Sequence, residues 1–236
     1  MSVLGIIPAR GGSKSLPGKN IIELNGKPLL SYSINAAKES GVIDQVVVTT
    51  DDQKIATIAE KYGADVVMRP KELATDSCHT FPAIEHAIET LEGRGESYDT
   101  VVLLQPTSPL RTALNIRECL KIFHNSESAE SIISVIECEH HPYKSLTKSN
   151  GNVTALISGE YLESPRQSLP DAYRPNGALY VLSTNTLLNK RRFYVEPVLA
   201  YEMDIRSSID IDNIEDLELC EFYLCNKPHS NTGVHL

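Results

Sequence analysis

Apolar side chains follow two rhythms along this chain. Short unbroken runs begin at Val3 and recur at Gln45 to Thr50, Ala64 to Met68, Thr100 to Leu104 and Ala178 to Leu182. Their length and their Val, Ile and Leu content suit strands buried on both faces. Between the runs, apolar residues return every three or four positions: Leu29, Leu30, Ile34 and Ala37; Ile55, Ile58, Ala59 and Tyr62; Phe81, Ile84, Ile88 and Leu91. That spacing predicts amphipathic helices. Pro28 suits the first position of the first helix, Gly41 its end, and Asp51 or Asp52 the cap of the second. Strand and helix alternate, which predicts an α/β fold: a Rossmann-like, mostly parallel sheet with helices on both faces. Ligands of such sheets bind beyond the carboxyl ends of the strands, so chemistry is expected just after each run.

Polar clusters occupy those places. Arg10 to Asn20 follows the first run, Asp51 and Asp52 the second, Arg69-Pro70 the third and Gln105 to Arg111 the fourth. The first cluster combines Gly11, Gly12 and Gly18 with Ser13 and the cations Arg10, Lys14 and Lys19. Glycines let backbone N–H groups turn toward an anion, and the cations offset its charge, so the loop reads as a polyphosphate site. The alternative is a solvated basic turn; the spacing is neither G-x-G-x-x-G nor G-x-x-x-x-G-K-[ST]. A formal net charge of −9 sharpens the point, because an acidic chain that binds a polyphosphate must concentrate its cations. Asp51 and Asp52 read as helix caps rather than metal ligands.

The 236 residues, 41% of them apolar, fit one globular domain over residues 1–225. The first apolar run is too short for a signal peptide and no later one reaches membrane-spanning length, so a soluble cytoplasmic protein is expected. Five cysteines without a C-x-x-C pair read as reduced structural thiols. Acidity and 6% aromatic content argue against a nucleic-acid groove. From Glu137 the pattern turns polar and turn-rich, with one strand candidate at Val153 to Ile157. Residues 137–177 therefore read as an insertion that contacts a partner subunit. The neighbouring His140 and His141 read as structural, regular structure resumes at Ala178, and residues 226–236 read as a loose tail.

A second chemical cluster is Ser208-Ile-Asp-Ile-Asp212. On a strand, Asp210 and Asp212 would face the same way and offer paired carboxylates to Mg²⁺. The competing reading makes Asp212 the N-cap of a helix bearing Ile214, Leu217 and Phe222, with Glu215 at capping-box spacing. That leaves Asp210 without a role.

Together, Ile7 to Lys14 with Lys19-Asn20, Arg69-Pro70 with Leu73, Ala74 and Asp76, Leu103 to Thr112, Arg174-Pro-Asn-Gly177 and Ser208 to Asp212 resemble the CMP-N-acylneuraminate synthetases, or acylneuraminate cytidylyltransferases. The resemblance runs in order from about residue 3 to about residue 225. It implies the nucleotide-diphospho-sugar transferase type of fold and a homodimer. It also implies an enzyme that joins CTP to a nine-carbon acidic sugar with Mg²⁺, by in-line attack of the anomeric hydroxyl on the α-phosphate, releasing pyrophosphate. By the same resemblance, Arg10, Ser13, Lys14, Lys19 and Asn20 hold phosphates and ribose, and Arg69 and Thr80 lie near cytosine and ribose. Gln105 faces the sugar, Arg166, Arg174 and Tyr180 grip it, Phe193 and Tyr194 line its pocket, and Asp210 and Asp212 hold the metal. Arg10, Lys19 and Asp210 carry catalysis; the base is either Asp210 or a metal-bound hydroxide. The rivals are a CMP-pseudaminate or CMP-Kdo synthetase, a hexose-1-phosphate nucleotidyltransferase, and a non-catalytic sugar-nucleotide sensor. Lys14 and Asn20 disfavour Kdo, and the absence of a G-x-G-T-R loop disfavours the hexose enzyme.

Overall fold

The first apolar run becomes β1 (Val3–Pro8), which lies inside the sheet with a parallel neighbour on each side. In this computed structural model, which describes residues 1–13, 15–75 and 79–226, those neighbours are β4 (Gln45–Thr50) and β6 (Thr100–Leu104). β5 (Asp65–Met68) adds in parallel beyond β4. On the other side, β10 (Tyr173–Ser183) lies antiparallel between β6 and β7 (Ser131–Glu137), and β11 (Val198–Glu202) closes the edge parallel to β7. The result is a seven-stranded sheet, parallel except for β10.

Alternation along each strand sorts side chains onto two layers, as a period of two requires. Val3 and Ile7 of β1, Val46 and Val48 of β4, Val102 and Leu104 of β6, and Leu179 and Val181 of β10 share one cluster with α1 (Leu29–Ser40), α2 (Gln53–Lys61) and α4 (Ala113–Asn125). The intervening Leu4, Ile6, Val47, Val101, Leu103 and Leu182 pack against α3 (Thr80–Glu92) and α6 (Thr184–Lys190). Helices on both faces are thus the arrangement found. A third cluster, with Leu24, Leu29, Leu110, Ile211 and Leu217, seats α7 (Ile214–Cys225) beside the end of β6.

Several local expectations change. Pro28 is the residue before α1 rather than its first, while Gly41 closes that helix in the left-handed conformation at φ 66°. Asn25-Gly26, both at positive φ, turn a small hairpin of β2 (Glu23–Leu24) and β3 (Lys27–Pro28). Within residues 137–177 the strand candidate shortens to β9 (Asn152–Ala155) and gains a partner, β8 (Leu146–Ser149), across an Asn150-Gly151 turn; the short helix α5 (Gly159–Glu163) follows. Regular structure resumes at Tyr173, not Ala178, because β10 pairs with β7 through Tyr173 to Pro175, then loses register before Tyr180. His141 is structural: Tyr143 N–H donates to its Nδ1, and its Nε2 lies 2.8 Å from Pro170 O. The tail at 227–236 lies outside the described residues. Among the described residues no helix is long and apolar enough to cross a membrane.

Candidate active site

Strand order reverses at β1: the chain first adds β4 and β5 on one side and then crosses to β6 on the other. A cleft of about 500 Å³ opens at that switch point, where α/β sheets bind ligands. Its floor is the end of β1 at Pro8 and the segment Gln105 to Thr107 after β6; its walls are Arg10, Gly12, Ser13, Lys19 and Asn20 on one side and Arg69, Thr75, His79 and Thr80 on the other. Thr80 opens α3, so the electropositive end of a 13-residue helix faces the cavity.

The glycine-rich loop is tethered at both ends. Gly11 N donates to Asp51 Oδ1 at 3.0 Å, and Asn20 Nδ2 donates to Arg10 O at 2.9 Å. Gly11 has no room for a side chain, since an added Cβ would lie 2.8 Å from Cβ and Oδ2 of Asp52. Asp52 is the cap of α2, accepting from the N–H groups of Lys54 and Ile55, which leaves Asp51 to hold the loop. Asp51 Oδ1 also lies 3.9 Å from Nη2 of the buried Arg69. Of the two aspartates read as caps, Asp52 is the cap and Asp51 instead tethers the loop; its place directly after a strand is the signal for that role.

Ser208 ends a turn, its N–H donating to Asp204 O at 3.1 Å, and residues 209–212 join no sheet, which corrects the expected strand. Ile211 is fully buried in the third cluster, and its N–H donates to Thr107 O at 2.8 Å. Asp210 and Asp212 lie on either side of this plug. The cap of α7 is Asn213, reciprocated by Asp216, so the capping reading of Asp212 falls away. Asp212 instead accepts from Lys19 Nζ at 2.9 Å, and the same ammonium donates to Ile211 O at 2.9 Å. Asp210 lies near the Thr107 side chain, which sequence reading did not single out, and its Oδ1 is buried with no hydrogen-bond partner among the described residues.

Burial raises the Asp210 pKa above the ordinary carboxylate range and Asp212 adds to the effect; Thr107 and Lys19 oppose it. The folded chain thus holds the Asp210 proton more tightly than the unfolded chain does. Stability tied to that proton is complete below the unfolded value, about 3.9, and is lost as pH rises through the raised folded one. Asp210→Asn is therefore expected to be the more stable protein at about pH 7 in EDTA, with the advantage shrinking toward about pH 4. A gain of ~1 kcal/mol, mid-range for relief at a functional site, raises Tm by about 2–4 °C in a chain of this size. Melting curves with no such gain near neutrality would refute the sign.

Behind the cleft, Arg111 is buried, and its Nη1 ties Gln105 O (3.1 Å) to Ala178 O (3.0 Å), joining the end of β6 to β10. Burial lowers its pKa to about 9, which keeps it cationic at neutral pH.

The expected nucleotide set is brought together: Arg10, Ser13, Lys19, Asn20, Arg69 and Thr80 all line the cleft, with Gln105 and Asp212. Lys14 lies outside the described residues. The expected sugar set is more dispersed. Tyr180 is half-buried on β10, its phenol raised by burial and then by Asp210, and its ring packs on Phe193 at 5.7 Å. Phe193 continues to Phe81 at 6.4 Å, while Tyr194 points away into solvent and its hydroxyl contacts Glu196. Arg174 is exposed on β10, and Arg166 is exposed in a short 3-10 turn, donating to Glu137 Oε1 and Cys138 O at 3.1 Å each.

Comparison with known proteins places this geometry. The N-acylneuraminate cytidylyltransferase of Escherichia coli is 38% identical over 217 residues, 92% of this chain, and the chain spans 51% of that relative. The CMP-N,N'-diacetyllegionaminic acid synthase of Legionella pneumophila is 35% identical over 94% of this chain and 95% of its own length. A solved CMP:2-keto-3-deoxy-manno-octonic acid synthetase complexed with CTP superposes with a TM-score of 0.69 over 95% of this chain and 99% of its own, at 17% identity, a likeness of fold. The family described as Cytidylyltransferase matches residues 4–228, and with these relatives it shows that this chain belongs to the cytidylyltransferase family, within the group of the CMP-sialic acid synthetases.

Proposed function

We propose that this protein joins CTP to a nine-carbon acidic sugar, N-acetylneuraminate or a legionaminate-type acid, giving the CMP-sugar and pyrophosphate. The observation that carries the reading is the cleft in which the tethered glycine loop, Lys19 and Asp212 of the carboxylate segment meet. Two carboxylates and substrate phosphate oxygens are a sufficient ligand set for Mg²⁺. Asp210 and Asp212 suit it: Asp210 keeps one buried oxygen without a protein partner, and no group of three His, Cys, Asp or Glu competes among the described residues. When bound there, the ion would neutralise phosphate charge.

The chain's own residues supply the rest. Arg10, Ser13, Lys14 and Asn20, with the N-terminus of α3, receive the triphosphate and ribose, and Arg69 and Thr80 the base side. Lys19 stands where it can meet charge on the α-phosphate while steadying Asp212. Asp210, which keeps one oxygen without a protein partner, is suited to accept the anomeric proton. Gln105 and Tyr180 mark the sugar side, with Arg166, Arg174, Phe193 and Tyr194 completing it from the surface, some of them across a homodimer. Leu146, Val153, Leu156 and Ile157 of the insertion are 51–60% exposed, which supports a partner subunit there. The reaction is assigned to the cytoplasm.

Pyrophosphate release from CTP and Mg²⁺ is the test, with N-acetylneuraminate, diacetyllegionaminate, pseudaminate and Kdo assayed in parallel. Turnover with a neuraminate or legionaminate acid is expected. Turnover confined to pseudaminate or Kdo would move the substrate assignment, and tight CTP binding without turnover on any sugar would favour a sugar-nucleotide sensor.

A further inference from the structure

Asn176 sits where β10 loses register, is 3% exposed, and uses both ends of its amide. Its Oδ1 accepts from Ser134 Oγ of β7 at 2.5 Å and from Ala178 N at 3.1 Å. Its Nδ2 donates to Ser208 Oγ at 2.8 Å and to Met203 Sδ at 3.4 Å. Ser134 in turn accepts from Leu179 N at 2.7 Å. Ser134, Met203 and Ser208 are all buried, so this is a satisfied, buried polar network, the kind that fixes one arrangement. Ser208 stands two residues before Asp210. The segment is thus pinned on both sides of Asp210, by Asn176 at Ser208 and by Thr107 O at Ile211. The next residue of β10, Gly177, has φ +80°, and an added Cβ would lie 2.9 Å from Gln105 Oε1.

We propose that Asn176 is a positioning residue: through Ser208 it sets where Asp210 and Asp212 stand, and it locks that position to the strand irregularity beneath Gln105. The claim rests on the reading that the two carboxylates hold the divalent ion. Partners that orient metal ligands typically change metal affinity by about 10–100-fold when removed. Ser208→Ala removes the link yet leaves the bonds of Asn176 to Ser134 and Ala178 in place, so it is the gentler variant.

Mn²⁺ binding in the presence of CTP, followed by electron paramagnetic resonance, is expected to weaken by about 10-fold in Ser208→Ala, with CTP binding in EDTA unchanged. Amide hydrogen exchange at residues 209–212 of the metal-free protein is expected to speed up. The double variant Asn176→Ala/Ser208→Ala should bind Mn²⁺ no more weakly than Asn176→Ala alone, because both act through one bond. Ser208→Thr, which restores the hydroxyl, should recover affinity. Parent-like Mn²⁺ affinity and exchange in Ser208→Ala would overturn the proposal. Failure of the parent itself to bind Mn²⁺ with CTP would instead overturn the metal reading, and faster exchange in Ser208→Ala would then still support the positioning role.

Discussion

Asp210→Ala is expected to lose at least ~100-fold in turnover while remaining folded, the scale seen when a base or a preorganised charge is removed. The side chain is half-buried and keeps one buried oxygen without a partner, an arrangement that costs stability unless something binds there. Steady-state kinetics at saturating CTP and Mg²⁺ make the measurement. Activity within about threefold of the parent, under ~1 kcal/mol of transition-state energy, would remove Asp210 from the chemistry. The stability gain expected of Asp210→Asn complements this loss, since a residue kept at the expense of stability is kept for another reason.

Lys19→Ala should fall by a comparable ~100-fold or more, with the loss in kcat rather than in KM for CTP, if the ammonium acts on charge that grows in the transition state. Its Nζ is already engaged by Ile211 O and Asp212, so the variant also loosens the carboxylate segment. Lys19→Arg separates the two effects: it restores the charge on a wider, planar head that fits the pair of acceptors poorly. Partial recovery of kcat in Lys19→Arg supports a charge role. A variant that loses only CTP affinity would make Lys19 a binding residue and no more.

Much of this was legible in the sequence where one physical signal dominated. Continuous apolar runs placed β1, β4 and β6, because a strand buried on both faces has no polar register to hide. The stop at Gly41 was readable because a left-handed cap favours glycine. Reading failed where tertiary context decides. The start of β10, Tyr173-Arg-Pro-Asn-Gly177, has turn composition, yet pairing with β7 holds it as a strand. Ile209 and Ile211 alternate with aspartates as a strand would, but a single bond to Thr107 O stands in for a ladder. Spacing pointed to Asp212 as the cap, with Glu215, whereas the cap formed is Asn213, reciprocated by Asp216. The tether from Gly11 to Asp51 spans 40 residues and follows only from the adjacency of β1 and β4. The sugar-side residues came from family resemblance alone, and their dispersal over β10 and the insertion is why spacing never grouped them.

On the proposed assignment, nucleotide contacts hang from β1 and β5, whereas sugar contacts hang from β6, β10 and the chain on either side of it, so the two recognition tasks would lie on separate halves of the sheet. Mutation can then explore one half without disturbing the other: the acid accepted can drift over evolutionary time while the nucleotide stays constant. A lineage built this way diversifies by swapping what lies on one flank of the sheet, in keeping with relatives whose names share a nucleotide chemistry and differ in the acid.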